Sequence, residues 1–140
     1  MAEKKSKPKP KRFDLQERLI NFSVRIIQVA DALADIKTGN HIRGQLLHCG
    51  TSPPANYAEA QSAESRADFI HKIKIVLKEL RETKVWLLLI MRASLINPTA
   101  RLQPLIQECD ELISIFVQSV KTADSNRKQA STVRAAEKLK

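Results

Sequence analysis

The sequence is short of the residues that make tight turns and of aromatic side chains. Only 3 of its 140 residues are glycine, and 4% are aromatic. This scarcity disfavours a β-rich fold, which needs many tight turns. The longest apolar run, residues 85–91, is far shorter than the roughly 20 residues of a membrane-spanning helix. No apolar segment follows the basic N-terminus as it would in a secretory signal. We therefore expect no membrane partner.

Cysteine is also scarce. The two cysteines, Cys49 and Cys109, fall at apolar helical positions and have no metal-binding spacing. Two such thiols are typical of buried residues in a reduced, cytoplasmic protein. A disulfide between them is the alternative.

The net charge of +9 is concentrated in the two ends of the chain. Residues 13–120 contain 12 basic and 12 acidic residues, so this middle part is neutral. A neutral core with basic tails suits an electrostatic partner such as RNA or DNA, reached through the tails. Alternatively, the tails only keep the protein in solution. The basic residues are Lys4, Lys5, Lys7, Lys9, Lys11 and Arg12 in the first tail, and Lys121, Arg127, Lys128, Arg134, Lys138 and Lys140 in the second.

The middle part carries four stripes of apolar residues at helical spacing. They predict helices over about 13–37, 40–62 and 65–95, and a fourth from near 103 to about 121. Gly39 and Asn97-Pro98 are the expected stop signals between helices. The prediction is an all-α fold, an antiparallel up-down four-helix bundle over 13–120. The tails, 1–12 and 121–140, should be disordered or frayed.

The second stripe runs through two prolines: it consists of Ile42, Leu46, Cys49, Pro53, Asn56 and Ala60. Pro53 and Pro54 lack the amide protons that would bond the carbonyls of Cys49 and Gly50. The continuous spacing favours one bent helix, in which Thr51 and Ser52 satisfy some of the freed groups. A break before a new helix that starts at Pro53 is the other possibility.

Residues 54–60, Pro-Ala-Asn-Tyr-Ala-Glu-Ala, resemble the "PANxAEG" signature of a family of bacterial four-helix bundle proteins. This is the family of the protein encoded in intervening sequences of large-subunit ribosomal RNA genes. The similarity extends over about 13–120 and includes residues 65–70 and 77–83. Ala60 replaces the usual glycine, and Pro53 precedes the usual single proline. The long tails do not belong to the family pattern.

The resemblance implies a bundle that assembles as a ring-like homopentamer with no established enzymatic activity. More distantly related bundles are accessory proteins of diversity-generating reverse transcriptases, in which a basic surface engages RNA. Two functions follow: an oligomeric scaffold with basic tails, or an RNA- or DNA-binding accessory subunit of a reverse transcriptase or a ribosomal RNA-associated system.

Residues with catalytic or metal-binding potential are few. No histidine forms the Glu-x-x-His pair of di-iron bundles, and no catalytic triad or phosphate loop is present. We therefore predict no enzyme, no metal and no cofactor. Glu79 and Glu82 are neighbours at i and i+3, and Glu59 can face them. Clustered carboxylates can bind metal, but we interpret these as structural partners of nearby basic residues.

Asn56 occupies a stripe position, where a polar side chain costs stability unless it is hydrogen-bonded. We expect Pro53, Pro54, Asn56 and Glu59 to form one polar cluster that locks the second helix against its neighbours. A ligand pocket at the bend is the alternative.

Surplus apolar residues predict an interface between subunits. The third helix is apolar all round near Trp86 and Leu89, and the first helix carries a second stripe that includes Ile20 and Ile27. A lone bundle buries only one side of each helix, so these residues should meet another subunit.

Overall fold

The computed structural model describes residues 15–139, which form five α-helices and one 3₁₀ turn. The α-helices are α1 (Leu15–Ala32), α2 (Lys37–Thr51), α3 (Pro53–Gln61), α4 (Arg66–Arg92) and α5 (Gln103–Lys138), and the 3₁₀ turn is Thr99–Leu102. No strand occurs in this range. Only Ser52 separates α2 from α3, so the five helices build four sides of a bundle. The predicted all-α four-helix bundle is confirmed.

The helices are arranged so that α1 and α4 occupy diagonal positions. Each packs against α2, α3 and α5, but no Cα atom of α1 lies within 8 Å of a Cα atom of α4. Because the chain reverses direction between successive sides, α1 and α4 run parallel. Because α1 and α4 are diagonal to each other, their outer faces belong to different sides of the bundle.

The core lies where the four predicted stripes meet. Fully buried side chains come from every side of the bundle: Leu19, Phe22, Ile26, Leu46, Ile73, Val76, Leu80, Leu87, Ile90, Leu102, Leu112 and Phe116. Tyr57 packs edge-on against Phe116, with ring centroids 5.6 Å apart. Burial of this apolar surface is the main force that holds the helices together.

The first helix ends earlier than predicted, at Ala32 instead of about residue 37. Arg43 of α2 explains the stop, because its guanidinium donates to the carbonyls of Ala30 and Leu33 at the end of α1. Positive charge is favourable at a helix C-terminus. Ile36, which continues the apolar spacing of the predicted first helix, is 56% exposed in the connection.

Gly39 does not stop the first helix but lies buried in the first turn of α2. A Cβ atom at this position would come within 2.0 Å of the Ala34 carbonyl oxygen. The tight α1–α2 connection therefore needs glycine here because of a close backbone approach.

The last helix corrects the expectation that residues 121–140 fray or are disordered. α5 begins at Gln103, as predicted, but stays helical to Lys138. No glycine or proline follows Pro104, and the segment is rich in good helix formers such as alanine, lysine and arginine. Residues 131–139 are all exposed. The segment therefore extends as a polar helix, which we call the basic extension (residues 121–138).

Candidate functional site

The proline segment forms a bend inside a nearly continuous helix. Ser52, the residue between α2 and α3, has helical dihedral angles of −76° and −33°. The backbone amide of Asn56 donates to the Ser52 carbonyl at 3.1 Å, so the helical hydrogen-bond pattern resumes directly after the prolines. This geometry favours the bent-helix interpretation over two separate helices.

The carbonyl that Pro54 leaves free is bonded from another helix. The Ser23 hydroxyl of α1 donates to the Gly50 carbonyl at 2.7 Å, and both residues are buried. Thr51 and Ser52, which we expected to serve the freed groups, donate instead to the carbonyls of Leu47 and His48, one turn earlier. The sequence pattern did not identify Ser23, because its partner is 27 residues away.

Gly50 lets the bend lie directly on α1. A Cβ atom at Gly50 would come within 2.6 Å of the Ile26 side chain, which is fully buried. Pro53 is also buried, whereas Pro54 is half-buried. Gln16 of α1 adds a hydrogen bond to the Pro54 carbonyl at 2.9 Å. The bend is thus the place where α1 packs against α2 and α3.

Asn56 joins α3 to α4. Its side-chain amide donates to Glu79 Oε1 at 3.1 Å and to the Ser52 carbonyl at 3.4 Å. Both side chains are half-buried. Burial raises the pKa of the Glu79 carboxyl, and the hydrogen bond from Asn56 opposes this shift by favouring the charged form.

Glu59, which was predicted to belong to this cluster, and Glu82 lie apart from Asn56. Glu59 is mostly exposed and pairs with Lys72 at 2.6 Å. Glu82 is half-buried and has no hydrogen bond to Asn56 or Glu79. Within residues 15–139 neither Glu79 nor Glu82 forms the expected ion pair with a basic residue. Among residues 15–139 no group of three potential ligands could hold a metal ion. The structure therefore brings together Asn56 and Glu79 but not the three carboxylates.

Two apolar stripes remain exposed on the outside of the bundle. On α1 the stripe consists of Ile20, Val24 and Ile27, which are 39%, 45% and 41% exposed, and on α4 it consists of Val85 and Leu89, which are 54% and 47% exposed. We call them the α1 stripe and the α4 stripe. Val24 and Val85 were not among the predicted interface residues, although they continue the same spacing. Trp86 is half-buried and packs against His41, with ring centroids 6.0 Å apart.

The basic extension brings arginines from two helices into one groove. Arg127 and Arg134 of α5 line it together with Ala130 and Arg66, the first residue of α4. No carboxylate within the described range lies within 4 Å of these three guanidinium groups. Arg66 was not predicted to act with the tail. The N-terminal basic residues Lys4, Lys5, Lys7, Lys9, Lys11 and Arg12, and also Lys140, lie outside the described residues.

The comparisons with known proteins agree with the bundle and the proline motif. The sequence profile of the 23S rRNA-intervening sequence protein family matches residues 11–118. The chain belongs to this family. A crystal structure of a family-related protein from Bacteroides thetaiotaomicron, described as a protein with unknown function from the S23 ribosomal protein family, is similar with a TM-score of 0.70. It is 33% identical, and the match covers 76% of this chain and 97% of that one. No curated protein matches the sequence.

The family match separates the bundle from the basic extension. It ends at residue 118, just before the extension begins, so the arginine groove combines Arg66 of the family domain with residues that lie outside it. No helix within 15–139 is long and apolar enough to cross a membrane.

The two cysteines of this family member are buried and free. Burial raises the pKa of Cys49, and it raises the pKa of Cys109 to about 12. Protonated, inaccessible thiols are poor nucleophiles. The prediction of buried structural cysteines is confirmed.

Proposed function

We propose that this protein is a non-enzymatic, homo-oligomeric helical-bundle scaffold, a homopentamer as the family resemblance implies, whose basic ends bind nucleic acid. The observation that supports an oligomeric scaffold is the pair of exposed apolar stripes on nonadjacent helices. Contiguous apolar residues on an otherwise polar surface mark a contact site. The two free cysteines support a reducing, cytoplasmic environment.

Sedimentation equilibrium of the full-length protein at micromolar concentration tests the assembly. We expect a single species heavier than the 15.8 kDa subunit. The variant Ile20→Ser/Ile27→Ser should sediment as a lighter species, because it removes apolar area from the α1 stripe without touching the core. A wild-type protein that stays monomeric would rule out the scaffold.

The alternative function is an RNA- or DNA-binding accessory subunit of a reverse transcriptase or a ribosomal RNA-associated system. The arginine groove favours nucleic acid, because guanidinium groups recognise phosphate oxygens in bidentate geometry. With only 4% aromatic residues, few side chains are available to stack on bases. Binding should therefore depend on phosphate contacts and discriminate little between sequences.

A salt series tests this function with RNA and DNA oligonucleotides. The full-length protein is compared with residues 13–120 and with Arg66→Gln/Arg127→Gln/Arg134→Gln. We expect log–log slopes of about −0.9 per neutralised phosphate on duplex DNA and about −0.7 on single strands. Both altered proteins should bind more weakly and with shallower slopes. If residues 13–120 bind as tightly and with the same slope, the tails only keep the protein soluble.

A further inference from the structure

We infer that the subunits join head to tail, with the α1 stripe of one copy on the α4 stripe of the next, in a register fixed by Glu17 facing Arg81 and Asp31 facing Arg92. This inference rests on the proposed oligomeric scaffold. It specifies which faces meet, at what height, and through which charges.

The charges at the ends of the two stripes are opposite in sign. Glu17 and Asp31 flank the α1 stripe on the same face of the helix, because the spacing from Glu17 through Ile20, Val24 and Ile27 to Asp31 is 3, 4, 3 and 4 residues. Arg81 and Arg92 flank Val85 and Leu89 at spacings of 4, 4 and 3. All four charged residues are exposed. None of them forms an ion pair with another residue in the described range.

These charges select against the two symmetric contacts. Two α1 stripes placed face to face would bring carboxylates together in either direction, and two α4 stripes would bring guanidinium groups together. Like charges juxtaposed in an interface are strongly unfavourable. Only the contact between an α1 stripe and an α4 stripe pairs opposite charges. Such a contact uses two different surfaces, so it is heterologous and leads to a ring when the rotation closes.

The lower ends of the two stripes stand at the same height in the subunit. One turn of α5 forms ion pairs on both of its sides: Glu108 and Glu111 bind Arg18 of α1 at 2.8 and 2.7 Å, and Asp110 binds Lys84 of α4 at 2.7 Å. Arg18 and Lys84 therefore lie level. Glu17 and Arg81, their neighbours on the outer faces, are within one helical turn of the same height.

The upper ends also correspond. Ala32 of α1 and Ile96, which follows α4, line one cavity at the other end of the bundle. Asp31 immediately precedes Ala32, and Arg92, the last residue of α4, lies four residues before Ile96. The distance along the helix is about 21 Å from Glu17 to Asp31 and about 16 Å from Arg81 to Arg92, at 1.5 Å per residue. With Arg18 and Lys84 level, Asp31 lies about 20 Å above them and Arg92 about 12 Å, and an extended arginine side chain together with the aspartate side chain spans this difference of about 8 Å.

A ring whose symmetry axis is parallel to the helices preserves this register. A rotation about an axis parallel to the helices moves each copy sideways without shifting it along the helix. Because α1 and α4 run parallel within a subunit, α1 of one copy meets α4 of the next in parallel and at an unchanged height. Glu17 then faces Arg81, Asp31 faces Arg92, and Val85 and Leu89 lie among the three apolar residues of the α1 stripe.

Charge reversal tests the inference in the full-length protein, with sedimentation equilibrium and circular dichroism as the measurements. We expect Glu17→Lys/Asp31→Lys and, separately, Arg81→Glu/Arg92→Glu to weaken association by about tenfold or more while the helical content stays. The quadruple variant that combines all four changes should associate as the wild type does, because opposite charges again face each other. The matched control Glu64→Lys/Glu137→Lys makes the same change of charge as the first double variant at two exposed positions away from both stripes and should not change association.

The outcomes separate this inference from the proposed function. If the wild type assembles but the double variants assemble equally well, or the quadruple variant does not recover, the α1–α4 register is wrong while the scaffold stands. A monomeric wild type overturns both. A variant that loses its helical content is judged through the quadruple variant, whose recovery supports the register and whose failure contradicts it.

Discussion

At the residue scale, Asn56 is a half-buried polar side chain that links α3 to α4. It lies on an otherwise apolar stripe, and its side-chain amide donates to Glu79 of α4 and to the Ser52 carbonyl at the bend. A single hydrogen-bonded polar residue among apolar ones can fix the register of neighbouring helices. The sequence pattern predicted the position of Asn56 but not its partner, because side chains in the partner helix compete for the same contact.

Asn56→Ala should lower the free energy of unfolding by roughly 1–3 kcal/mol, because it leaves a half-buried carboxylate without its donor. Urea unfolding at neutral pH measures the change. The matched control is Asn21→Ala on the exposed face of α1, which should be neutral or slightly stabilising because alanine favours the helix. If Asn56→Ala has the same free energy of unfolding as the wild type but no longer binds a ligand, Asn56 belongs to a ligand pocket and does not fix the helices in register.

Glu79 should make stability depend on pH. Its pKa is raised in the folded protein above the usual 4.5, so the folded state holds this proton more tightly than the unfolded chain does. The resulting stabilisation is present below the unfolded pKa and is lost as the pH rises through the folded pKa. Glu79→Gln should remove this decline in the pH region just above 4.5, whereas Asn56→Ala should extend it to higher pH. Identical pH profiles of unfolding for the wild type and Glu79→Gln would contradict this assignment.

At the element scale, the bend between α2 and α3 is stabilised by α1 and not by its own side chains. Ser23 bonds the carbonyl that Pro54 leaves free, and Gly50 admits the Ile26 side chain. Apolar spacing was sufficient to predict that the helix continues through the prolines. The source of the compensation could not be predicted, because Ser23 and Gly50 are distant in the sequence and glycine and serine carry no periodic signal.

The two glycines of α2 that lie beyond its first turn should respond oppositely to substitution. Gly50→Ala introduces a methyl group against the fully buried, β-branched Ile26, so it should destabilise by about 1–3 kcal/mol. A Cβ atom added at Gly44 would meet no side chain and no other part of the fold within 4 Å, so Gly44→Ala should stabilise the helix by about 0.5–1 kcal/mol. Thermal and urea unfolding of the two variants side by side provide the measurement. Equal effects would mean that helix propensity, not the contact with α1, governs both positions.

Helix ends were the least predictable elements. α1 ends early because Arg43, from the next helix, binds its terminal carbonyls, which is a contact between residues that only the fold brings together. α5 continues past residue 120 because nothing in the sequence stops it, although no apolar face holds its last turns. Local composition determined where that helix could continue, and the absence of an apolar stripe led to the wrong expectation of fraying.

At the scale of the whole molecule, the bundle leaves its first and third sides incompletely covered. The α1 and α4 stripes lie on diagonally opposed helices with no Cα atoms within 8 Å of each other, so one subunit cannot bury both by rearranging locally. The start of α1 and the basic extension of α5 lie toward the same end, since Arg18 pairs with Glu108 and Glu111 before α5 continues outward. In a ring, each copy would then present its extension at the same rim. This arrangement would concentrate positive charge where a phosphate backbone could contact several subunits.

Assembly through these stripes should also appear in the thermal stability. A protein that folds and associates is stabilised by mass action, so its midpoint of thermal unfolding should rise as the protein concentration rises. Arg81→Glu/Arg92→Glu should lose this dependence, because its subunits unfold without first dissociating, and the quadruple charge-reversed variant should regain it. Circular dichroism melts over a hundredfold range of concentration supply the measurement. A midpoint for the wild type that does not change across this range would show that the exposed stripes of α1 and α4 contribute nothing to stability through association, and the faces would then need an occupant other than a second copy of this chain.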